Sequence, residues 1–313
     1  MASSSAAARP AGVYPTKVRI VEVGPRDGLQ NESAEFSTQT RIELVRRLLD
    51  CGLKAVEAGS FVSPRWVPKM ADTGILLEHF DRSDRDHLAV LVPNLRGLEA
   101  AIESGATEIA VFGAASETFS AKNINCSIAE SLERFRPVCS RALAEGLRVR
   151  GYVSCVLGCP YEGDVDPDRV ADVSEQLIKM GCYEVSLGDT IGTGTPLKAV
   201  ALIRRVTEVV PVTQLAVHFH DTYGQALVNI FAALGEGISV IDSSVAGLGG
   251  CPYAPGAAGN VATEDVIYML DGMGIQHGID FDRLLDTAGF ILNALDKQPV
   301  SRVSTARLAK AKS

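Results

Sequence analysis

Short runs of apolar residues alternate along the chain with longer stretches in which apolar residues recur every three to four positions. The runs VRIVEV and HLAVLV are rich in β-branched residues and have the length of strands, whereas TQTRIELVRRLLDCG places Ile42, Val45 and Leu49 on one helical face. Several of the helical stretches end in glycine just before the next apolar run, as helix C-termini commonly do. Eight strands are predicted in this way, at 18–23, 54–59, 87–92, 107–113, 147–155, 183–188, 214–220 and 239–245.

This alternation predicts an α/β fold built as a (β/α)₈ TIM barrel. Eight strand–helix units in roughly 270 residues match the size of one such barrel. An open doubly wound sheet is the alternative, but it usually carries a G-x-G-x-x-G turn after its first strand. The segment that follows the first predicted strand is GPRDGLQNES, which lacks that spacing. A late helical pattern at 280–295 is predicted to pack as an addition after the barrel closes.

One domain is therefore expected over residues 17–297, with a short tail at each end. Residues 1–16 are rich in alanine and serine, which predicts a disordered N-terminal tail; a weak organelle transit peptide is the alternative. Residues 298–313 are basic and low in bulky apolar side chains, which predicts a frayed C-terminal tail.

Composition narrows the functional class. An apolar fraction of 46% and a charged fraction of 22% are ordinary for a globular protein, and no apolar run is long enough to cross a membrane. The net charge of −8 disfavours a general nucleic-acid binder. Seven cysteines, an odd number, are scattered without a secretory leader, so we expect reduced thiols and a cytoplasmic location.

Polar side chains collect at the carboxyl ends of the predicted strands, where barrel enzymes place their chemistry. Arg26 and Asp27 follow the first strand, and the pair His218 and His220 closes the seventh. The other candidates at this end are Glu57, Tyr152, Asp189, Asp221, Cys251 and Asn260.

The sequence VHFHD at 217–221 is the strongest of these signals. Side chains alternate in a strand, so His218 and His220 project together while Phe219 points to the opposite face. Two neutral imidazoles on one face suit a divalent metal, and a hydrogen-bonded pair of histidines at a strand end is the alternative. Two ligands do not make a site, so further oxygen or nitrogen donors must converge on the same point.

Each remaining candidate has a structural as well as a functional interpretation. Glu57 and Asp189 could simply pair with Arg26, and Tyr152 could pack inside the barrel instead of facing substrate. Asp221 is expected to cap the following helix. A final candidate, Cys251, lies in GLGGCPYAPGAAGN, a glycine-rich segment typical of a mobile active-site loop; a merely exposed thiol is the alternative.

Taken together, the motifs resemble the 3-hydroxy-3-methylglutaryl-CoA lyase family. The resemblance covers about residues 17–297, with long matches in the same order along the chain. They are VEVGPRDGLQNE, GSFVSPRWVPKMAD, FGAASETFSAKNINCS, RGYVSCVLGCPYEG, CYEVSLGDTIGTGTP, VHFHDTYGQA and SVAGLGGCPYAPGAAGNVATEDV. Related condensing synthases share the R-D-G and H-x-H elements but are not expected to carry the GLGGCPYA loop.

The resemblance implies roles for individual residues. The metal ligands it implies are Asp27, His218, His220 and Asn260, a mixed nitrogen and oxygen set suited to Mg²⁺ or Mn²⁺. Arg26 matches the arginine at the substrate carbonyl, Cys251 the catalytic loop cysteine, and Tyr152 a substrate-side tyrosine. Glu57 and Asp189 match supporting acids, and Lys122 and Asn123 are weaker candidates for contacts with coenzyme A.

The activity implied is cleavage of 3-hydroxy-3-methylglutaryl-CoA to acetyl-CoA and acetoacetate, as in leucine degradation, by a homodimer. The hydroxyl proton could pass to Asp27 or to His218, and Cys251 or a histidine could then protonate the enolate. Three alternatives stay open: a lyase for a longer substrate such as 3-hydroxy-3-isohexenylglutaryl-CoA, a condensing synthase of the isopropylmalate or homocitrate type, and a non-catalytic binding barrel.

The chain departs from the family pattern in three places. Phe219 stands where many relatives have cysteine, but its expected outward direction leaves metal binding intact. Pro255 and Ala258 replace other residues in the glycine-rich loop and are expected to alter its mobility. The C-terminal cysteine of animal relatives is absent, so redox control through an intersubunit disulfide is not expected.

Overall fold

Eight parallel strands close into a barrel in a computed structural model that describes residues 14–250 and 259–311. The strands are β1 (Arg19–Glu22), β2 (Val56–Ser60), β3 (Leu88–Leu91), β4 (Glu108–Ala114), β5 (Arg148–Ser154), β6 (Glu184–Asp189), β7 (Leu215–Phe219) and β8 (Val240–Ser243). They follow one another in chain order, and β8 pairs with β1 from Arg19 opposite Val240 to Glu22 opposite Ser243. The predicted TIM barrel and all eight predicted strands are confirmed.

Helices surround the barrel and begin where the sequence supplies caps. Ser37 accepts a hydrogen bond from the Thr40 amide, and Ser127 forms a reciprocal capping box with Glu130. The helices are α1 (Thr38–Asp50), α2 (Thr73–Glu78), α3 (Arg82–Arg85), α4 (Leu95–Glu103), α5 (Glu117–Ile124), α6 (Ile128–Ala144), α7 (Pro167–Lys179), α8 (Pro196–Thr207), α9 (Ala226–Gly235), α10 (Thr263–Gly272), α11 (Phe281–Ala294) and α12 (Arg302–Ala311). The predicted late helix at 280–295 is thus confirmed as α11.

The main hydrophobic core lies between the helices and the outer faces of the strands. Buried residues such as Ile20, Val45, Leu98 and Val138 belong to this cluster, and the period-two pattern of each strand turns the alternate side chains into the barrel. Several of those inward side chains are charged and almost fully buried, namely Arg150, Glu184 and Asp242. The interior of the barrel is therefore a polar network as well as a packed core.

A single π-helical turn at Gly24–Gly28 follows β1 and carries Arg26 and Asp27. A Cβ atom at Gly28 would lie 2.8 Å from Leu248 Cβ and 2.9 Å from Ser244 Oγ, so the turn packs directly on the segment after β8. Such π turns recur at functional sites because they redirect the side chains that they carry.

Glu22 fastens this turn to the segment after β8. Its Oε1 accepts hydrogen bonds of 2.8 Å from the amides of both Gly24 and Val245. Its Oε2 accepts one of 2.6 Å from Thr263 Oγ1. The barrel seam between β1 and β8 is therefore held by a buried carboxylate.

The chain ends correct two expectations. Residues 14–16 were expected in the disordered tail, yet the Tyr14 ring lies 5.4 Å from that of Phe231, and the Thr16 carbonyl accepts a hydrogen bond from the Gln276 amide. A frayed tail was also expected over 298–313, but residues 302–311 of this segment form α12. Although this segment is basic, Ser301 Oγ and the Val303 amide both donate hydrogen bonds to Asp265 Oδ1, and these bonds anchor the start of the helix.

Residues 1–13 lie outside the described part of the chain, so the tail prediction there stays a prediction. Among the helices that the structure describes, none has the length and apolar character needed to span a bilayer.

Candidate metal centre and active site

Asp27, His218 and His220 come together at the carboxyl mouth of the barrel. One ligand atom from each lies within 4.8 Å of the others. The two histidine Nε2 atoms are 3.2 Å apart, and His218 Nε2 is 4.0 Å from Asp27 Oδ2. Both imidazoles are buried, as the alternation of side chains in β7 predicted, and Phe219 points into the outer hydrophobic core.

Asn260 reaches the same point from the segment after β8. A backbone bridge pairs it with His220, and its Nδ2 donates to Asp27 Oδ2 at 2.9 Å and to the Leu248 carbonyl at 3.1 Å. The structure therefore brings together all four residues for which the sequence predicted a metal role. The amide nitrogen of Asn260, rather than its oxygen, faces the carboxylate.

The chemistry of these donors fits a divalent cation. Two imidazole nitrogens and a carboxylate, with an amide beside them, form the mixed set that Mg²⁺ or Mn²⁺ accepts when water or substrate oxygens complete an octahedron. A hydrogen-bonded pair of histidines at a strand end, the alternative, would need no third donor, whereas the Asp27 carboxylate lies 4.0 Å from His218 Nε2.

Arg26 holds the carboxylate of this cluster in place. Its Nη1 donates to Asp27 Oδ1 at 2.7 Å, while its Nε and Nη2 both contact Glu57 Oε2, at 2.8 and 2.6 Å. Burial by itself lowers the pKa of Arg26, but Glu57 and Asp27 outweigh it and leave the pKa above the ordinary value. The guanidinium is thus a fixed cation beside the cluster.

The carboxylate of Asp27 is a weak base in this setting. Burial raises its pKa, but Arg26 and His218 outweigh burial and bring the pKa down to about 2. The pKa of His220 is lowered to about 4, first by burial and then by the neighbouring His218. A neutral His220 is the form that can offer a lone pair to a cation.

His218 contacts Asp242, which forms an ion pair with Arg150 that the sequence did not predict. Its Nδ1 lies 3.3 Å from Asp242 Oδ2, and Asp242 in turn accepts two hydrogen bonds from Arg150, at 2.7 and 3.1 Å. Burial lowers the pKa of His218, but the hydrogen bond to Asp242 and the charges of Asp242 and Asp27 leave it raised. The only sequence signal was an acid inside the strand SVIDSSV and an arginine inside RVRGYVS.

The two supporting acids differ in their partners. Glu57 pairs with Arg26, in agreement with the sequence reading, and burial raises its pKa. Asp189 does not pair with Arg26 in the structure: its Oδ2 accepts from the Gly194 amide at 2.8 Å. Burial raises the pKa of Asp189 to about 6 although that hydrogen bond opposes the rise. Asp189 therefore shapes the loop after β6.

Tyr152 lies inside the barrel beside the cluster. Its hydroxyl accepts a 2.7 Å hydrogen bond from Arg150 Nη1, and its ring stands edge-on to His218 at a centroid distance of 6.3 Å. Asp221 was expected to cap the following helix, but Gln225 occupies the N-cap of α9; Asp221 Oδ1 instead accepts a hydrogen bond from the first amide of the helix, that of Ala226, at 2.9 Å.

The remaining predicted site residues lie on an exposed part of a helix or outside the described residues. Lys122 and Asn123 are exposed on α5, where Lys122 Nζ sits 3.9 Å from the centre of the Tyr161 ring. Cys251, Pro255 and Ala258 fall outside the described residues, so the structure does not place the predicted catalytic thiol.

A TIM barrel with acid, arginine and histidine side chains converging at its carboxyl mouth defines a barrel enzyme with a candidate divalent-metal centre. The chain belongs to the HMGL-like family, whose model matches residues 17–291.

Similar proteins align with almost the whole chain. A 3-hydroxy-3-isohexenylglutaryl-CoA/hydroxymethylglutaryl-CoA lyase of Pseudomonas aeruginosa is 58% identical over 95% of this chain and 99% of its own. The mitochondrial hydroxymethylglutaryl-CoA lyase of Gallus gallus is 56% identical over 94% of this chain and 98% of its own. A crystal structure of hydroxymethylglutaryl-CoA lyase from Pseudomonas aeruginosa superposes with a TM-score of 0.92 at 57% identity, covering 95% and 99% of the two chains.

Proposed function

We propose that this protein is a divalent-cation-dependent carbon–carbon lyase that cleaves 3-hydroxy-3-methylglutaryl-CoA to acetyl-CoA and acetoacetate. The observation that carries the proposal is the convergence of Asp27, His218 and His220, with Arg26 clamped against Asp27. Membership of the HMGL-like family supports the reaction class.

Asp27, His218, His220 and Asn260 are proposed to hold Mg²⁺ or Mn²⁺. When bound, such a cation polarises the substrate's 3-hydroxyl and lowers the pKa of that hydroxyl. For Asn260 to serve as an oxygen ligand, its amide must turn so that Oδ1 replaces Nδ2 opposite Asp27.

Asp27 is the proposed acceptor of the hydroxyl proton. His218 has the raised pKa of the two candidates, but an Nε2 that serves as a ligand has no lone pair left for a proton. The pKa of about 2 makes Asp27 a weak base, which is sufficient only for a hydroxyl that has already been made acidic.

Bond cleavage then shifts charge onto the thioester. As the hydroxyl proton leaves, its oxygen becomes the ketone of acetoacetate, and the C2–C3 electron pair moves into the acetyl-CoA enolate. The guanidinium of Arg26 is proposed to stabilise the enolate oxygen, because its position is fixed by Glu57 and Asp27 before the charge develops. Cys251 or a histidine is proposed to protonate the enolate carbon, and Tyr152 to line the substrate pocket.

A second substrate has a specific observation in its favour. The Pseudomonas aeruginosa relative, 58% identical, is named as a lyase for 3-hydroxy-3-isohexenylglutaryl-CoA as well as for the methyl substrate. The longer substrate therefore remains the alternative within the same chemistry, while the condensing-synthase reading has no counterpart among these relatives.

The proposal extends to the setting of the enzyme. We propose a homodimer in the cytoplasm that acts in leucine degradation, with Lys122 and Asn123 near the coenzyme A moiety. Six of the seven cysteines are described, and all six are free and buried, which agrees with a reducing compartment.

Purified protein supplied with Mn²⁺ and each acyl-CoA in turn tests the proposal. We expect release of acetyl-CoA from 3-hydroxy-3-methylglutaryl-CoA with stoichiometric acetoacetate, and kcat/KM for the methyl and isohexenyl substrates decides between the two readings. The Arg26→Ala variant controls for a contaminating lyase. No acetyl-CoA from either substrate, together with consumption of acetyl-CoA and a 2-oxo acid, would identify a condensing synthase.

A further inference from the structure

Asp242 lies beside His218 inside the barrel. The strand register sets Asp242 of β8 opposite His218 of β7, and both side chains point into the barrel. Asp242 is buried, and its Oδ2 lies 3.3 Å from His218 Nδ1, on the side of the imidazole away from His220. The residue touches a predicted ligand but does not belong to the ligand cluster.

The carboxylate of Asp242 is held rigidly by three other bonds. Arg150 Nη2 donates to Oδ1 at 2.7 Å, Arg150 Nη1 donates to Oδ2 at 3.1 Å, and Ser186 Oγ donates to Oδ2 at 2.8 Å. A bidentate arginine fixes the plane of a carboxylate as well as its charge. Asp242 therefore has little freedom to turn away from the imidazole.

An ionised carboxylate can only accept a hydrogen bond, so the His218 nitrogen that faces it must carry the proton. With the proton on Nδ1, the lone pair of the neutral ring lies on Nε2, the atom that faces His220 Nε2 at 3.2 Å and Asp27 Oδ2 at 4.0 Å. We propose that Asp242 is a positioning residue that sets the tautomer and ring orientation of His218 so that Nε2 is available to the cation.

Arg150 makes this arrangement possible in a buried setting. Arg150 Nε donates to Glu184 Oε1 at 2.8 Å, and Glu184 also pairs with Arg19 at the amino end of the barrel. The register again aligns the partners, since Arg150 of β5 lies opposite Glu184 of β6. Charges of alternating sign thus extend from Arg19 to His218, and the Asp242 carboxylate stays ionised because Arg150 neutralises it.

The inference rests on the proposed cation site, so its test must separate the two. Outer-shell carboxylates of this kind commonly change metal affinity by about 10–100-fold when they are replaced. Asp242→Asn offers an amide N–H in place of an acceptor, which favours the opposite tautomer with the proton on Nε2. Glu184→Gln is the matched control, because it weakens the same buried network without touching Asp242 or His218.

Two measurements on the metal-free protein form the experiment: Mn²⁺ binding by titration calorimetry, and the ¹⁵N shifts of the His218 imidazole, assigned by their loss in His218→Gln. Wild type is expected to show Nδ1–H and to bind Mn²⁺. Asp242→Asn is expected to bind Mn²⁺ about 10–100-fold more weakly. Glu184→Gln is expected to keep the Kd of wild type. The melting temperature is recorded for each variant.

The outcomes distinguish the two proposals. Wild type that fails to bind Mn²⁺ contradicts the cation site itself. Wild type that binds Mn²⁺ while Asp242→Asn folds and binds equally well overturns the role of Asp242. If Asp242→Asn does not fold, the wild-type spectrum alone decides, recorded at a pH at which the metal-free His218 ring is neutral: a neutral ring with its proton on Nε2 and none on Nδ1 overturns the inference.

Discussion

At the scale of single residues, Arg26 is the side chain on which the site depends most, because two carboxylates contact it. One guanidinium contacts Asp27 in the ligand cluster and Glu57 behind it, and both carboxylates depend on it for neutralisation. The sequence could predict Arg26 and Asp27, because a polar pair directly after a strand is conspicuous. It could not predict that Asp189 would turn to the Gly194 amide, since both acids read alike at the ends of their strands.

Arg26→Lys is predicted to reduce turnover severely although the charge is kept. An ammonium cannot reproduce the planar fork of donors, and loss of one contact to a developing oxyanion typically costs about 3–4 kcal/mol, or on the order of 10²–10³ in kcat. Steady-state kinetics beside thermal melting checks this. A large rise in KM with kcat unchanged would assign Arg26 to ground-state binding, and a collapse in melting temperature would show that its main role is to neutralise buried Glu57.

Cys251→Ser is predicted to fold as wild type does and to turn over slowly. The residue lies in a glycine-rich stretch with little capacity to form a core, so its replacement is expected to leave stability within about 0.5 kcal/mol. The control is Cys126→Ser, which replaces a buried thiol next to a helix. This variant is expected to lose stability and to keep the kcat of wild type. Wild-type kcat in Cys251→Ser would remove the thiol from the proposed protonation step.

At the scale of elements, the strands were predictable and their mutual register was not. Each strand contains a short run of apolar and β-branched residues because its outer face packs beneath the helices, and this run marks the strand in the sequence. Arg150 and Asp242 lie 92 residues apart in the chain. They meet only because the barrel is closed, so that the inner faces of both strands point towards the barrel axis. No pattern within either strand encodes that pairing.

The same limit applies to the chain ends and to the π turn. GPRDG predicts a turn of some kind, but its packing on Leu248 depends on closure of β1 against β8. Helix α12 escaped prediction because its apolar content is low; it starts through the bonds from Ser301 and Val303 to Asp265, a tertiary contact.

Gly28→Ala is predicted to destabilise the protein and to displace Asp27. A Cβ at this position would lie 2.8 Å from Leu248 Cβ, and overpacking of this kind typically costs about 1–3 kcal/mol. Gly289→Ala in α11 is the matched control: nothing lies within 4 Å of its added Cβ, so the free energy of unfolding is expected to rise by about 0.5–1 kcal/mol. Denaturant unfolding with Mn²⁺ titration measures both effects, and equal stability of Gly28→Ala and wild type would show that the turn tolerates a side chain.

At the scale of the whole molecule, the barrel unites groups that are remote in the chain. Asp27 follows the first strand, His218 lies on the seventh with His220 directly after it, and Asn260 follows the eighth, yet the Asp27 and Asn260 side chains are 2.9 Å apart. The closed order of strands makes the first and eighth neighbours, so the site exists only when the barrel is complete. Stability of the seam and affinity for the cation are therefore expected to be linked.

The most direct test of the account is the activity of protein stripped of metal by exhaustive chelation, with the residual metal content measured by mass spectrometry. Cleavage of 3-hydroxy-3-methylglutaryl-CoA is predicted to disappear on stripping and to return on addition of one equivalent of Mn²⁺ or of Mg²⁺ in excess. The His220→Ala variant is predicted to need far more Mn²⁺ to recover activity, because one imidazole ligand is lost. Full turnover by a protein shown to contain no divalent metal would contradict the account.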